Sequence, residues 1–529
     1  MNKTTFNQVT KVWSGPKVPP IFNPDQNLGQ LIVKVLEQTP DAVTQISADT
    51  NVSVTCGETR ERILKFAVHL NNLGLKQGDV IGVVAGNTEN IAPAVFACFL
   101  LGLPVNPLAP VMIESDIMQM YLKTKPKLIF CDEKNLRTVQ NSVDMMKSEA
   151  KIYTVMEKVD GYECVTEILK NDIKFEDLIY PEVDPNSIVF ISYTSGSTGF
   201  PKGVGRTHKQ IISYFIPVTN GPNILYQSIE IFWFFGIYFL ILGTLYKYIR
   251  IIAAQPPTAK LIVNIIEKFK VTQVSTGPYL VNNLLQLDNL ELLETIKMWM
   301  IPGAKASQLI CDRLKNFVPN GLVNPCYGST ECDFITTNYN GKKLGSCGQV
   351  FYNNQIKIID DNGNALSNNQ QGEICVKKVL EFTGYLNETE NTKEVYDGEW
   401  FKTGDFGYFD DEGYLYIVDR KKELLKYNYM QVAPSELEAI INEIDGVVSS
   451  CVVGVLDENT GNDIIHAFVI VDEFCKITEQ EIEDYVRKRV IDQKRIRGGV
   501  HFVEKFPLTA SGKVYRKELK NLAAEKFTK

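Results

Sequence analysis

Tyr193-Thr194-Ser195-Gly196-Ser197-Thr198-Gly199-Phe200-Pro201-Lys202-Gly203 follows directly on the apolar run Ser187-Ile188-Val189-Phe190-Ile191-Ser192. The run reads as a buried strand, so the loop leaves a strand end, where α/β proteins usually bind ligands. Its glycines let backbone N–H groups turn toward an anion, its hydroxyls donate further hydrogen bonds, and Lys202 adds a positive charge. Together these features make a phosphate cradle. It is not a Walker A loop, because a proline stands before the lysine where that pattern requires glycine.

Working outward, strand-like and helix-like segments alternate from Asp79: Val80–Val84 as a strand, Ile91–Leu101 as a helix, Ser115–Lys123 as a helix and Leu128–Phe130 as a strand. Beyond the loop come a helix over Ala259–Phe269, a strand over Val271–Val274, and Trp299–Ile301 running into Pro302-Gly303. This alternation predicts parallel sheets covered by helices, with room for two doubly wound sheets before residue 350. From about Gly348 the pattern turns β-rich, with Gln355–Ile359 and Gly372–Val376 as a hairpin. The charged run Asp419-Arg420-Lys421-Lys422 is a candidate hinge. After it, Pro434–Ile444 and Ile477–Val490 read as helices, and Val447–Val455 and Ile464–Val471 as strands. The expected fold is therefore α/β: a large N-terminal domain, residues 1–419, with two doubly wound sheets and a β-rich lobe, then a small mobile α+β domain, residues 420–529.

Composition narrows the partners. The chain of 529 residues is 44% hydrophobic and 22% charged, and its formal net charge of −8 argues against nucleic acid or an anionic membrane as the main partner. Eleven cysteines contain no Cys-x-x-Cys pair, and His69, His208, His466 and His501 lie far apart along the chain. Neither a zinc site nor a disulfide framework is suggested, which fits a reducing intracellular compartment, the cytoplasm first. The N-terminus lacks an apolar signal core, and Phe527-Thr528-Lys529 is not the Ser-Lys-Leu peroxisomal address. The most membrane-like stretch, from Ile231 to about Tyr246, is bounded by Glu230 and Lys247 and falls short of the roughly 20 residues a spanning helix needs. No transmembrane segment is expected. A buried core helix or the wall of an apolar pocket accounts for the stretch equally well.

Three further clusters stand at expected turns. Tyr327-Gly328-Ser329-Thr330-Glu331 offers an aromatic face, hydroxyls and a carboxylate that could stack a base, meet a phosphate and ligate Mg²⁺. Thr403-Gly404-Asp405 could present a carboxylate to ribose, and Thr509-Ala510-Ser511-Gly512-Lys513 places a lysine on a flexible loop. Each alone reads equally as an ordinary surface turn. In this order and spacing, with Ile417-Val418-Asp419-Arg420-Lys421-Lys422-Glu423-Leu424-Leu425-Lys426-Tyr427 and Gln431-Val432-Ala433-Pro434-Ser435-Glu436-Leu437-Glu438, they resemble the adenylate-forming superfamily. The likeness covers nearly the whole chain and is strongest to the branch of 4-coumarate CoA ligases, acyl-CoA synthetases and firefly luciferases.

The resemblance implies a two-step reaction with ATP, Mg²⁺ and coenzyme A: a carboxylate attacks ATP to give acyl-AMP, and a thiol then displaces AMP. It implies that Thr194, Ser195, Gly196, Ser197, Thr198 and Lys202 hold the phosphates, that Tyr327 lies against adenine, and that Thr330 meets the α-phosphate. Glu331 would hold Mg²⁺, Asp405 and Arg420 would bind ribose, and Gln431 would lie near AMP. Lys513, Lys426 and Thr198 form the implied catalytic set, with rotation about Lys422 exchanging Lys513 for Lys426 between steps. Trp233, Gly303, Ala304 and Cys326 fall at acyl-pocket positions.

Departures from the pattern matter as well. Asn428 and Tyr429 replace the usual lysine and glycine of the coenzyme A tunnel, which weakens the expectation of a thiol step. Pro325-Cys326 replaces a Gln-Gly or Gly-Gly pair, and Trp233 stands where luciferases carry a histidine, so light production is not expected. The aromatic run Phe232–Phe235 suits an apolar acid, fatty or aryl, a medium- or long-chain fatty acid first, although each ring reads equally as core packing, the commoner case for a given aromatic. Two rivals stand beside the acyl-CoA synthetase: an adenylating enzyme without a coenzyme A step, and a lapsed paralogue that only binds acyl or nucleotide ligands.

Overall fold

The computed structural model describes residues 4–175, 178–194, 201–217, 224–287, 291, 293–380, 382–428, 430–457, 460–472, 475–508 and 513–526. They fall into two compact units, one of Met1–Thr5, Ser14–Gln355 and Lys377–Tyr396, the other of Phe6–Trp13, Ile356–Val376 and Asp397–Lys529.

The first unit contains two sheets with helices around them. Strands Gly203–Thr207, Ile188–Tyr193, Val105–Pro107, Ile81–Val84, Leu128–Cys131, Lys151–Thr154 and Glu163–Cys164 lie side by side in that order. All neighbours are parallel except the edge pair Ile188–Tyr193 and Gly203–Thr207. The second sheet has nine strands, parallel through Ile224–Tyr226, Ile249–Ile252, Gln273–Ser275, Met298–Ile301 and Leu322–Ser329, with antiparallel strands at both edges. The two wound sheets expected before residue 350 are therefore present.

Two helices show why their sequences read as apolar all round. Ile91–Leu101 is buried at every position, and Phe234–Leu245 at every position but Phe235, and both belong to one core. The membrane-like stretch is thus largely core. No helix among the described residues is long and apolar enough to cross a membrane. The helix can approach the preceding loop only because residue 236 is glycine, since a Cβ there would lie 1.9 Å from the Glu230 carbonyl oxygen.

In the second unit, Gly372–Val376, Trp400–Phe409 and Leu415–Arg420 form an antiparallel ladder, the strand of Gly372 running on to Lys378 in the first unit. The expected boundary between residues 419 and 420 falls at its last pair, Asp405 with Arg420, inside this unit. A three-stranded sheet of Val447–Asp457, Asn462–Val471 and Gly499–Phe502 follows, packed with helices Pro434–Ile441 and Glu479–Arg487. Both helices are shorter than expected. Thr478 fixes the start of the second with a reciprocal capping box to Glu481, and the first gives way to a turn closed by Ile444 N–H on the Ile441 carbonyl. Arg516 ties the unit's last helix to Glu438 at 2.6 Å and Glu423 at 3.3 Å. The histidines are not all far apart in space, because strand pairing brings His466 Nδ1 within 3.1 Å of His501 Nε2.

Candidate functional site

The candidate phosphate loop follows the strand Ile188–Tyr193 as foreseen, and the chain returns as the antiparallel strand Gly203–Thr207. Tyr193 pairs with Gly203, Thr194 N–H donates to the Lys202 carbonyl at 3.0 Å, and Lys202 N–H donates to Thr194 Oγ1 at 3.4 Å. The loop's base is therefore closed by its own flanks. Ser195, Gly196, Ser197 and Thr198 lie outside the described residues. Lys123 braces the same base, its ammonium donating to the Pro201 carbonyl at 3.0 Å and pairing with Glu388 at 2.8 Å.

Tyr385, which sequence reasoning passed over, joins the two clusters that it had singled out. The Lys202 ammonium lies 4.6 Å from the Tyr385 ring centroid, and the Tyr385 hydroxyl donates to Glu331 Oε1 at 2.8 Å. The segment carrying it docks along the edge strand, with Leu386 N–H on the Gly203 carbonyl and the Thr383 hydroxyl on the Gly205 carbonyl. Burial, reinforced by the Glu331 charge, pushes the Tyr385 hydroxyl up, so the ring stays protonated and donates. The available signal was Gly384-Tyr385, an aromatic residue after a glycine whose φ is 99°.

Tyr327 is not in a turn. It sits on the strand Leu322–Ser329, opposite Thr336, and only Thr330, Glu331 and Cys332 form the connecting loop. The hairpin is that tight because Gly328 lets the strands close; a Cβ on it would lie 2.0 Å from the Asp333 carbonyl oxygen. Among the described residues no three His, Cys, Asp or Glu side chains gather as a metal site. A Mg²⁺ here would rest on Glu331 and on nucleotide phosphates, which is how this cation is commonly held. The residues present fit that arrangement.

Of the expected acyl-pocket residues, Gly303 and Ala304 follow the strand Met298–Ile301, Cys326 lies within the strand Leu322–Ser329 opposite Thr337, and Trp233 comes after the strand Ile224–Tyr226 as the N-cap of the apolar helix. Cys326 is buried and Trp233 half-buried, whereas Gly303 and Ala304 are exposed. The aromatic packing nearby is dense: Phe334 stands edge-on to Phe235 at 4.6 Å and to Tyr238 at 4.9 Å.

The second unit carries its own subset. Asp405 lies on the strand Trp400–Phe409, not in a turn, and its Oδ1 is 3.0 Å from Arg420 Nε on the paired strand. Gly404, with φ 72°, marks an irregular stretch where the pairing register shifts between Glu373 and Cys375. Lys426 and Gln431, both exposed, face each other across a short hairpin, Leu425–Tyr427 with Met430–Val432. Asn428 occupies its turn at φ 45°, and its neighbour Tyr429 lies outside the described residues. Lys513 is exposed and borders the bridge between Leu508 and Val514.

Known proteins match this chain over most of its length. The family profile described as AMP-binding enzyme matches residues 33–386, and that of the AMP-binding enzyme C-terminal domain matches residues 436–513. A 4-coumarate–CoA ligase of Humulus lupulus is 30% identical over 533 residues, covering 95% of both chains. Among solved structures, an anthranilate CoA ligase in complex with anthranoyl-AMP superposes with a TM-score of 0.85 at 20% identity, over 95% of this chain and 98% of that one. A benzoate CoA ligase from Burkholderia xenovorans gives a TM-score of 0.81 at 21% identity, over 93% of this chain and 99% of that one.

Proposed function

The chain belongs to the AMP-binding family of adenylate-forming enzymes, and from that premise we propose that it is an ATP-dependent acyl-CoA synthetase acting on a hydrophobic carboxylic acid. A carboxylate oxygen attacks the α-phosphorus of ATP, pyrophosphate leaves, and the sulfur of coenzyme A then attacks the acyl carbon of acyl-AMP and releases AMP. Two anions must approach in the first step. Cations placed where negative charge gathers lower that barrier.

The observation that carries this reading is the bridge from Lys202 through the Tyr385 ring to Glu331. It sets a cation and a metal-competent carboxylate on either side of one aromatic residue at the base of the phosphate loop. In the proposed roles, Thr194, Lys202 and the loop residues 195–198 hold the phosphates, Tyr327 and Thr330 contact the nucleotide, and Glu331 holds Mg²⁺, which would neutralise phosphate charge. Asp405 and Arg420 serve ribose, Gln431 serves AMP, Lys513 serves the first step, and Lys426 the second, with residues 420–529 as the mobile domain.

For the acid, a medium- or long-chain fatty chain is supported by the apolar aromatic surroundings of the helix after Trp233. An aryl acid is favoured by the curated relatives, which are named as 4-coumarate–CoA ligases. Pyrophosphate release measured with fatty and aryl acids separates these readings. Thioester formation on adding coenzyme A then separates a complete synthetase from an enzyme that stops at acyl-AMP. Release of pyrophosphate with no acid of either class would overturn the assignment.

A further inference from the structure

Directly behind the Thr330-Glu331-Cys332 loop, the first unit buries two cations against one carboxylate. Arg206 Nε donates to Asp333 Oδ1 at 2.8 Å and Lys378 Nζ lies 3.0 Å from Asp333 Oδ2, with the side chains 1%, 8% and 3% exposed. The Tyr214 hydroxyl also donates to Asp333, and Lys378 donates to that hydroxyl at 2.6 Å. The spare donors go to the loop's backbone. An Arg206 Nη donates to the Thr330 carbonyl at 2.5 Å, and Lys378 donates to the Cys332 carbonyl at 2.6 Å. Asp333 itself sits at φ 55°, a left-handed conformation an aspartate adopts at a cost, so the three donors hold its carboxylate against backbone strain.

We propose that Arg206, Asp333, Tyr214 and Lys378 are positioning residues for the Thr330–Glu331 turn, which they aim at the nucleotide; this rests on the nucleotide role proposed for that turn. Two consequences follow from geometry and charge. A trans peptide sends its C=O and the next N–H to opposite sides, so drawing the Thr330 carbonyl inward turns the Glu331 N–H away from the buried charges. Burial lowers the Lys378 ammonium from its ordinary value and Asp333 opposes that shift; with Lys378 protonated, two cations face one carboxylate, and the excess positive charge behind the loop attracts an anion in front of it.

Lys378→Met tests this, because it removes the excess charge and one carbonyl clamp while leaving Arg206 paired with Asp333. Mg-ATP affinity is measured by calorimetry without any acid, alongside the melting temperature and, with an accepted acid, kcat and KM for pyrophosphate release. The expected result is a folded variant whose Mg-ATP affinity and kcat each fall about tenfold, while KM for the acid moves less than about threefold. A folded variant with both affinity and kcat within about twofold of the parent overturns the proposal, as does an equal loss confined to the acid's KM. Tyr214→Phe gives the same decision if Lys378→Met does not fold. The acid-free affinity keeps the two readings separable: pyrophosphate release can fail for every acid while Mg-ATP binding still decides whether the cluster aims the turn.

Discussion

Lys202 and Glu331, 129 positions apart in the chain, meet on one residue: the Lys202 ammonium lies over the Tyr385 ring at 4.6 Å, and Glu331 accepts the hydroxyl of that ring at 2.8 Å. Such a ring keeps the two opposite charges from collapsing into a direct ion pair, leaving each available for the phosphate and Mg²⁺ roles proposed for them. It also couples the phosphate loop to the Tyr327–Glu331 strand end through a single side chain.

Tyr385→Phe keeps the ring beneath Lys202 and deletes the bond to Glu331. A hydrogen bond to a charged group contributes about 1.5–3 kcal/mol, so kcat/KM for ATP in pyrophosphate release is expected to fall roughly tenfold or more. Tyr385→Leu also removes the cation–π contact and is expected to lose several-fold further. Equal activity of the Phe and Leu variants would show that the hydroxyl alone matters.

Acid sensitivity is expected from His208. Its Nδ1 accepts the Leu28 N–H at 3.0 Å, and burial lowers the imidazole to about 4 from an ordinary 6.5. The unfolded chain therefore takes up a proton below pH 6.5 that the folded chain refuses until about 4, so this stability is present above 6.5 and is lost as pH falls through that window. Full traversal removes about 3 kcal/mol. His466, lowered to about 4 by burial and then by His501, acts in the same direction. Thermal melting followed from pH 7 to pH 4 should show a falling midpoint, shallower in His208→Gln.

Much of this was legible in the sequence where one local signal had one meaning. Ile91–Leu101, apolar at every position, is a helix with those same bounds, and the run before Tyr193 is a buried strand. Glycine and hydroxyl residues favour turns, yet Tyr327–Ser329 and Thr403–Asp405 both lie in strands. Gly328 and Gly404 serve close strand approach and a shift in pairing there, and such demands come from a partner strand remote in sequence. Tyr385 and the cluster of Arg206, Asp333 and Lys378 were missed for the same reason: each residue is ordinary in its own segment, and only pairing across the fold gathers them.

Gly404→Ala tests the irregular stretch before Asp405. No atom lies within 4 Å of the would-be Cβ, so the penalty comes from φ 72° alone, about 1–2 kcal/mol. Relaxing that backbone displaces Asp405 from Arg420, so affinity for AMP should fall several-fold with a melting shift of only about 1–2 °C for a chain of this size. Isothermal titration of AMP into the variant checks it.

Asn428 gives the sharpest test of the thiol step. It holds φ 45° in the turn between Tyr427 and Met430, its N–H donates to Asn462 Oδ1 at 2.8 Å, and its Oδ1 accepts from Asn462 Nδ2 at 3.3 Å. Asn428→Gly and Asn428→Ala both lose the side-chain bond from Asn462 and keep the backbone one, but Gly holds the left-handed turn at little cost whereas Ala strains it by roughly 1 kcal/mol. Lys426 and Gln431 face each other across this hairpin, so loosening its turn disturbs Lys426. Thioester formation from preformed acyl-AMP and coenzyme A is therefore expected to slow several-fold in Asn428→Ala, with pyrophosphate release unchanged and Asn428→Gly near the parent in both. Equal slowing of both half-reactions would remove Lys426 from the second step and leave the hairpin as a purely structural element.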